Sequence, residues 1–205
     1  MWRSARIGFA ALALMSAATG TLAAQETATP VFKAPYRAFT SHEFGGNLSF
    51  PSGDVNLAVE GFYGFGHGAY DIGIRGGFED LEGSGDTRIL LGGDFRTRVL
   101  KASEQFPFDG ALTLGVGLNA GDGPDVLLLP IGLSLGRRFL LEDSKISFVP
   151  YVNPVFAPAI SGGDSQVDLA FGLGIDIRFS NAVDFRVSGG LGDIEGIALG
   201  IAVVR

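Results

Sequence analysis

Across residues 167–179 the chain alternates without a break. Val167, Leu169, Phe171, Leu173, Ile175, Ile177 and Phe179 fall on one side of a period-two register, with Asp168, Ala170, Gly172, Gly174, Asp176 and Arg178 on the other. Successive side chains of a strand point to opposite faces, whereas a helix would spread this pattern around its circumference. The same alternation marks residues 70–78, 88–99, 111–119, 127–136 and 196–203, and more weakly 42–50, 55–65, 146–157 and 184–191. Glycine, aspartate and proline punctuate the intervals as turns do. The expectation is an all-β fold of about ten strands, most of them of the 9–14 residues that a tilted membrane strand needs. Segment 146–157 is the least regular, because Pro150 and Pro154, with Pro158 just beyond, each remove a ladder donor. Without it, or with two others merged, the count drops to eight.

Two architectures produce such ribbons. A soluble barrel or sandwich buries the apolar face and wets the polar one; a membrane barrel inverts this. The polar face here is mostly glycine, alanine and serine, and glycine reaches 32 of 205 residues with only 18% charged. Side chains so small suit a narrow interior better than a solvated exterior. The charges on that face nearly balance: Glu43, Glu60, Asp71, Glu79, Asp94, Asp168, Asp176 and Asp184 against Arg75, Arg88, Arg96, Arg98, Arg138, Arg178 and Arg186. Every base is arginine, whose planar fork suits carboxylates in a confined space. On the apolar face, Arg137 and Glu195 fall only near strand ends. A basic residue at the bilayer midplane costs about 2–4 kcal/mol. Tyr70, Phe78, Phe139, Phe179 and Phe185 stand toward strand ends as interfacial aromatics do.

The reading is therefore a closed antiparallel up-and-down transmembrane β-barrel over residues 38–205, its lumen lined by the charge network, with Glu79 beside it. Residues 25–37 are expected as a periplasmic N-terminal extension. Residues 1–24 read as a cleaved signal peptide: Arg3 and Arg6 precede an apolar run over 7–15, and small residues lead to Ala23 and Ala24. Short turns are expected at 66–68, 142–145 and 181–183 on the periplasmic side, with 101–109 longer. Outward loops are expected at 51–53, 80–86, 120–125, 158–166 and around Asp193.

On this pattern the chain resembles the small outer-membrane β-barrels, the opacity-type proteins and the transmembrane domain of the OmpA type. The resemblance covers nearly all of the chain after residue 24. It implies an outer-membrane location in a Gram-negative-type envelope, contact with outer-membrane lipid and insertion by the barrel-assembly machinery. Such proteins often end in an aromatic residue; this chain ends Val203-Val204-Arg205.

Catalytic, metal and cofactor sites are not expected. Cysteine is absent, which removes thiolate metal sites, a thiol nucleophile and disulfides. The formal charge of −7 argues against nucleic acid. His42 and His67 fall at the periplasmic rim, away from external substrates. The acidic groups at 79–86 and 121–125 lack the spacing of a calcium loop and fit turn chemistry. The glycine-rich 64–68 is followed by neither the helix nor the lysine of a phosphate loop. The expected protein is a monomeric envelope barrel, mainly structural, with an ion-paired and largely filled lumen. The alternatives are a narrow charged-lumen pore for ions or small solutes, and a soluble periplasmic barrel that binds an apolar ligand.

Overall fold

The computed structural model describes residues 26–35, 41–83, 85–180 and 182–205; the expected signal peptide lies outside them. Twelve strands follow in chain order: β1 (Glu43–Pro51), β2 (Val55–Gly66), β3 (Tyr70–Leu81), β4 (Thr87–Leu100), β5 (Asp109–Gly121), β6 (Val126–Leu128), β7 (Ile131–Gly136), β8 (Phe139–Leu140), β9 (Ser147–Ser161), β10 (Asp164–Arg178), β11 (Val183–Gly192) and β12 (Gly196–Val204). Each pairs antiparallel with its neighbours, and β12 returns to β1, so the sheet closes on itself. Where it closes, His42 and Arg205 exchange both backbone bonds at 2.8 Å.

Twelve strands make ten staves. β6, β7 and β8 are pieces of one stave, because their register against β9 never shifts: Val126 faces Ser161, Ile131 faces Phe156 and Phe139 faces Phe148. The breaks have a cause in the sequence. In an antiparallel strand alternate residues turn their N–H and C=O to the same neighbour. Pro150, Pro154 and Pro158 share one parity of β9, and the carbonyls of Pro150 and Pro158 accept from Arg137 N and Leu129 N. All three missing donors therefore face the broken stave. On its other side β9 pairs with β10 over its full fifteen residues. The segment that looked least regular is thus one of the two longest strands.

Loop 158–166, expected as an outward connection, is mostly strand. The turn shrinks to Gly162 and Gly163, both at positive φ (58° and 97°). Only glycine adopts this readily, and it matches the twist of a two-residue hairpin.

The alternation sorts as an inverted barrel. Leu169, Leu173, Ile197 and Ile201 are 54%, 42%, 58% and 55% exposed, whereas Asp176 and Asp94 are buried. Opposite charges fix the register inside. Asp71 faces Arg96 and Glu79 faces Arg88 across β3–β4; Asp176 faces Arg186 and Arg178 faces Asp184 across β10–β11. A two-residue slip of β10 on β11 would set Asp176 against Asp184 or Arg178 against Arg186, and a one-residue slip would turn every side chain to the wrong face.

Residues 25–37, expected as an extension outside the barrel, lie otherwise over their described part. Glu26, Thr27, Thr29, Val31, Phe32 and Ala34 are all buried inside the cylinder.

Candidate functional site

The lumen collects most of the molecule's buried charge. At the end holding the barrel's two termini, Arg96 Nε donates to Asp71 Oδ1 at 3.0 Å, and Arg96 Nη2 lies 3.0 Å from the other carboxylate oxygen. Arg186 reaches across β12 to Glu43, lies 3.6 Å from Asp176 and 3.9 Å from Asp184, and sits 5.5 Å above the Phe62 ring. Arg178 stands 3.4 Å from Asp184. Toward the far end, Arg88 donates to the carbonyls of Asn119 and Pro124, with Glu79 at 3.8 Å, and Asp168 accepts from Gln166.

Among the fourteen positions read from sequence as lumenal, Arg98 differs: it is exposed near the end of β4, where the ladder to β5 shifts register. Arg138 is half-buried at the terminal end. Glu60, Arg75 and Asp94 are buried near mid-barrel; Arg96 lies 3.9 Å from Asp94, but their nearest partners come from outside the strands.

Those partners belong to the lumenal segment, residues 26–35. Glu26 pairs with Arg75 at 2.9 Å, and Lys33 pairs with Asp94. Thr27 and Thr29 donate to the two carboxylate oxygens of Glu60 at 2.7 and 2.8 Å. On the other side Ala28 packs on Val126, Leu128 and Ala159. Phe32 and Ala34 join Val149, Tyr151, Ala170 and Ile194 in an apolar cluster. The lumen is thus amphipathic, and the segment matches both halves.

Wall side chains also hold the segment's backbone. Asn119 donates to the Thr27 carbonyl, Ser188 to Pro30, Tyr151 to Phe32, Ser134 to Lys33 and Arg96 to Ala34. Two glycines make room for it. A Cβ on Gly117 would stand 1.1 Å from the Glu26 carbonyl oxygen, and one on Gly172 would stand 2.3 Å from the Phe32 ring. Two cavities beside the segment hold about 10 Å³ each, room for roughly one water.

The segment carries no strand periodicity, so alternation gives no sign of its place in the lumen. The available signal was indirect: a ten-stave lumen lined so heavily with glycine has space that something must fill.

Aromatic rings gather at the terminal end. Tyr63 and Phe65 lie 4.4 Å apart between centroids, Phe139 stacks on Phe148 at 5.2 Å, and Tyr70 lies 5.5 Å from Phe95. Both histidines join this girdle, His42 against Phe65 and His67 against Tyr70.

Ten closed staves, an apolar exterior and a charged interior define the transmembrane β-barrel fold. Among solved structures the chain is similar to the β domain of the Bordetella autotransporter BrkA, with TM-score 0.51, 13% identity, and coverage of 80% of this chain and 98% of that one. It is also similar to a chain from the de novo design of transmembrane β-barrels, with TM-score 0.41, 14% identity, and coverage of 85% and 98%. The likeness to the autotransporter domain is one of fold. No family model matches the chain, and no curated protein matches it.

Proposed function

We propose that the chain is a monomeric outer-membrane β-barrel of a Gram-negative-type envelope, mainly structural, with an ion-paired and largely filled lumen. One observation carries this reading: the side-chain inversion. Large apolar residues such as Ile74, Ile89, Leu91, Leu169, Ile197 and Ile201 stand more than half exposed around the wall. Water tolerates no such continuous belt on a monomeric protein, and acyl chains do. The aromatic girdle at the terminal end supports an interfacial depth there, and the architecture of the opacity-type and OmpA-type barrels supports the same location.

In this reading residues 1–24 direct export, the barrel-assembly machinery inserts the chain, and the terminal end faces the periplasm. No catalytic role is assigned: His42 and His67 are engaged with aromatic rings outside the lumen. The soluble, ligand-binding alternative loses support from the same geometry. An apolar ligand inside the barrel needs a pocket of roughly 300–1,000 Å³; the cavities beside the lumenal segment hold about 10 Å³ each, and a larger hollow of about 580 Å³ is open and lies on the outer wall between Phe50, Leu173, Leu191 and Ile197.

The test is fractionation of cells expressing the full chain, followed by a detergent gel with and without boiling. The expected result is recovery with the outer membrane and faster migration of the unboiled protein. Recovery in the soluble periplasm without detergent would overturn the proposal.

A further inference from the structure

We propose that the lumen is a peptide-binding site, filled in cis by residues 26–35, and that seating of this segment closes a cation-selective path through the barrel. The seat stands on the contacts alone; the path rests on the transmembrane reading above.

The segment is held as a ligand is held. Among the described residues no backbone ladder joins it to the wall. Its carbonyls accept from the side chains of Asn119, Ser188, Tyr151, Ser134 and Arg96, and Phe32 N donates to Ser188 Oγ. It can therefore leave without breaking a strand pairing. Departure still demands a strong competing force, because each end is pinned by charge: Glu26 on Arg75 and Lys33 on Asp94.

The fit is specific to peptide at close range. Gly117 and Gly172 leave no space for a side chain where Glu26 and Phe32 lie. Ala28 is held at φ 64°, a left-handed conformation that is strained for an L-residue. Such strain persists only where the surroundings over-determine it, and it concentrates at ligand clamps.

The charges left behind set the selectivity. The segment brings one acid and one base. Its removal bares Glu60, Asp94 and Arg75 at mid-barrel; Arg96, 3.9 Å from Asp94, stays paired with Asp71, which leaves two carboxylates against one guanidinium. A hydrated lumen with this balance favours cations.

The test uses the full chain, whose lack of cysteine makes an introduced thiol a clean reporter. Val31→Cys puts that reporter in the seat. In folded protein, in detergent or in vesicles, we expect a membrane-impermeant maleimide to label it at least about a hundredfold more slowly than after unfolding in urea. Adding Lys33→Glu sets a carboxylate against Asp94, and the loss of a buried pair corresponds to about a hundredfold or more. Labelling should then approach the unfolded rate while the unboiled gel shift persists. In planar bilayers Lys33→Glu should open a cation-selective conductance that wild type lacks. A free peptide with the sequence of residues 26–35 should block it, and a scrambled peptide should not. Lys33→Glu with Asp94→Lys restores the attraction and should return both protection and silence; it also serves if the single variant does not fold.

Equal labelling in folded and unfolded Val31→Cys would overturn the seat. A folded, labelled Lys33→Glu barrel that stays silent, or a conductance indifferent to the peptide, would overturn the gate. Protection in a chain that remains soluble would remove the transmembrane reading and the path together, and leave the seat standing.

Discussion

Glu26 and Arg75 meet at 2.9 Å with both side chains 2% exposed, and one of them lies on no strand. Removing one member of a buried ion pair strands the other, at a cost of about 3–5 kcal/mol. Glu26→Leu should therefore destabilise the barrel, up to the free energy that seats the segment. Glu26→Leu with Arg75→Met should recover most of the loss. Urea titration in micelles followed by circular dichroism gives both values; equal destabilisation in the single and double variants would contradict the pairing.

Gly117 touches the segment most closely. Gly117→Val should unseat Glu26 and Thr27, because the added carbon overlaps the Glu26 carbonyl and backbone on both sides leaves nothing free to move. Hydrogen exchange read by mass spectrometry should show residues 26–35 losing protection while β1 and β12 keep theirs. A variant whose segment stays protected would show that the barrel wall yields instead.

The outer wall makes a depth-dependent prediction. Leu173 faces outward within β10, whereas Phe179 lies just past its end, and both are exposed. Leu173→Arg should cost about 2–4 kcal/mol in phosphatidylcholine bilayers, and Phe179→Arg about 0–1. Similar costs at the two positions, measured by reversible urea unfolding into bilayers, would contradict the lipid-facing assignment.

Arg186 gathers Glu43, Asp176 and Asp184 and covers Phe62. Lysine keeps the charge but not the planar fork or the stacking face. Arg186→Lys should cost roughly 1.5–3 kcal/mol, the worth of a hydrogen bond to a charged group, read as a lower urea midpoint with an unchanged slope. An unaltered midpoint would mean that charge alone holds this cluster.

The wall was legible in the sequence because its signal is local. Leu169, Leu173 and Ile177 announce their face by parity alone, and the arginines and carboxylates of β3–β4 and β10–β11 announce the other. Prolines misled for a physical reason. Singly, each of Pro150, Pro154 and Pro158 argues against a strand; only their shared parity, which sends every missing donor toward one neighbour, reconciles them with β9. Residues 26–35 were illegible because their order comes from long-range contacts. Thr27 and Thr29 need Glu60, and Phe32 needs Gly172, partners that no local periodicity links. Arg98 keeps its parity, opposite Ala111, but is exposed because it stands at the rim, one residue before the ladder slips.

The prolines of β9 have a mechanical consequence. Between β9 and the stave built from β6, β7 and β8, fewer hydrogen bonds cross than at any neighbouring seam that runs unbroken. A cylinder under load tears along its sparsest stitching, so rupture should begin there and not where His42 and Arg205 join the chain's two ends. The amide proton of Leu133, which faces Pro154 across the gap, should be the first of the mid-wall to be lost to solvent deuterium.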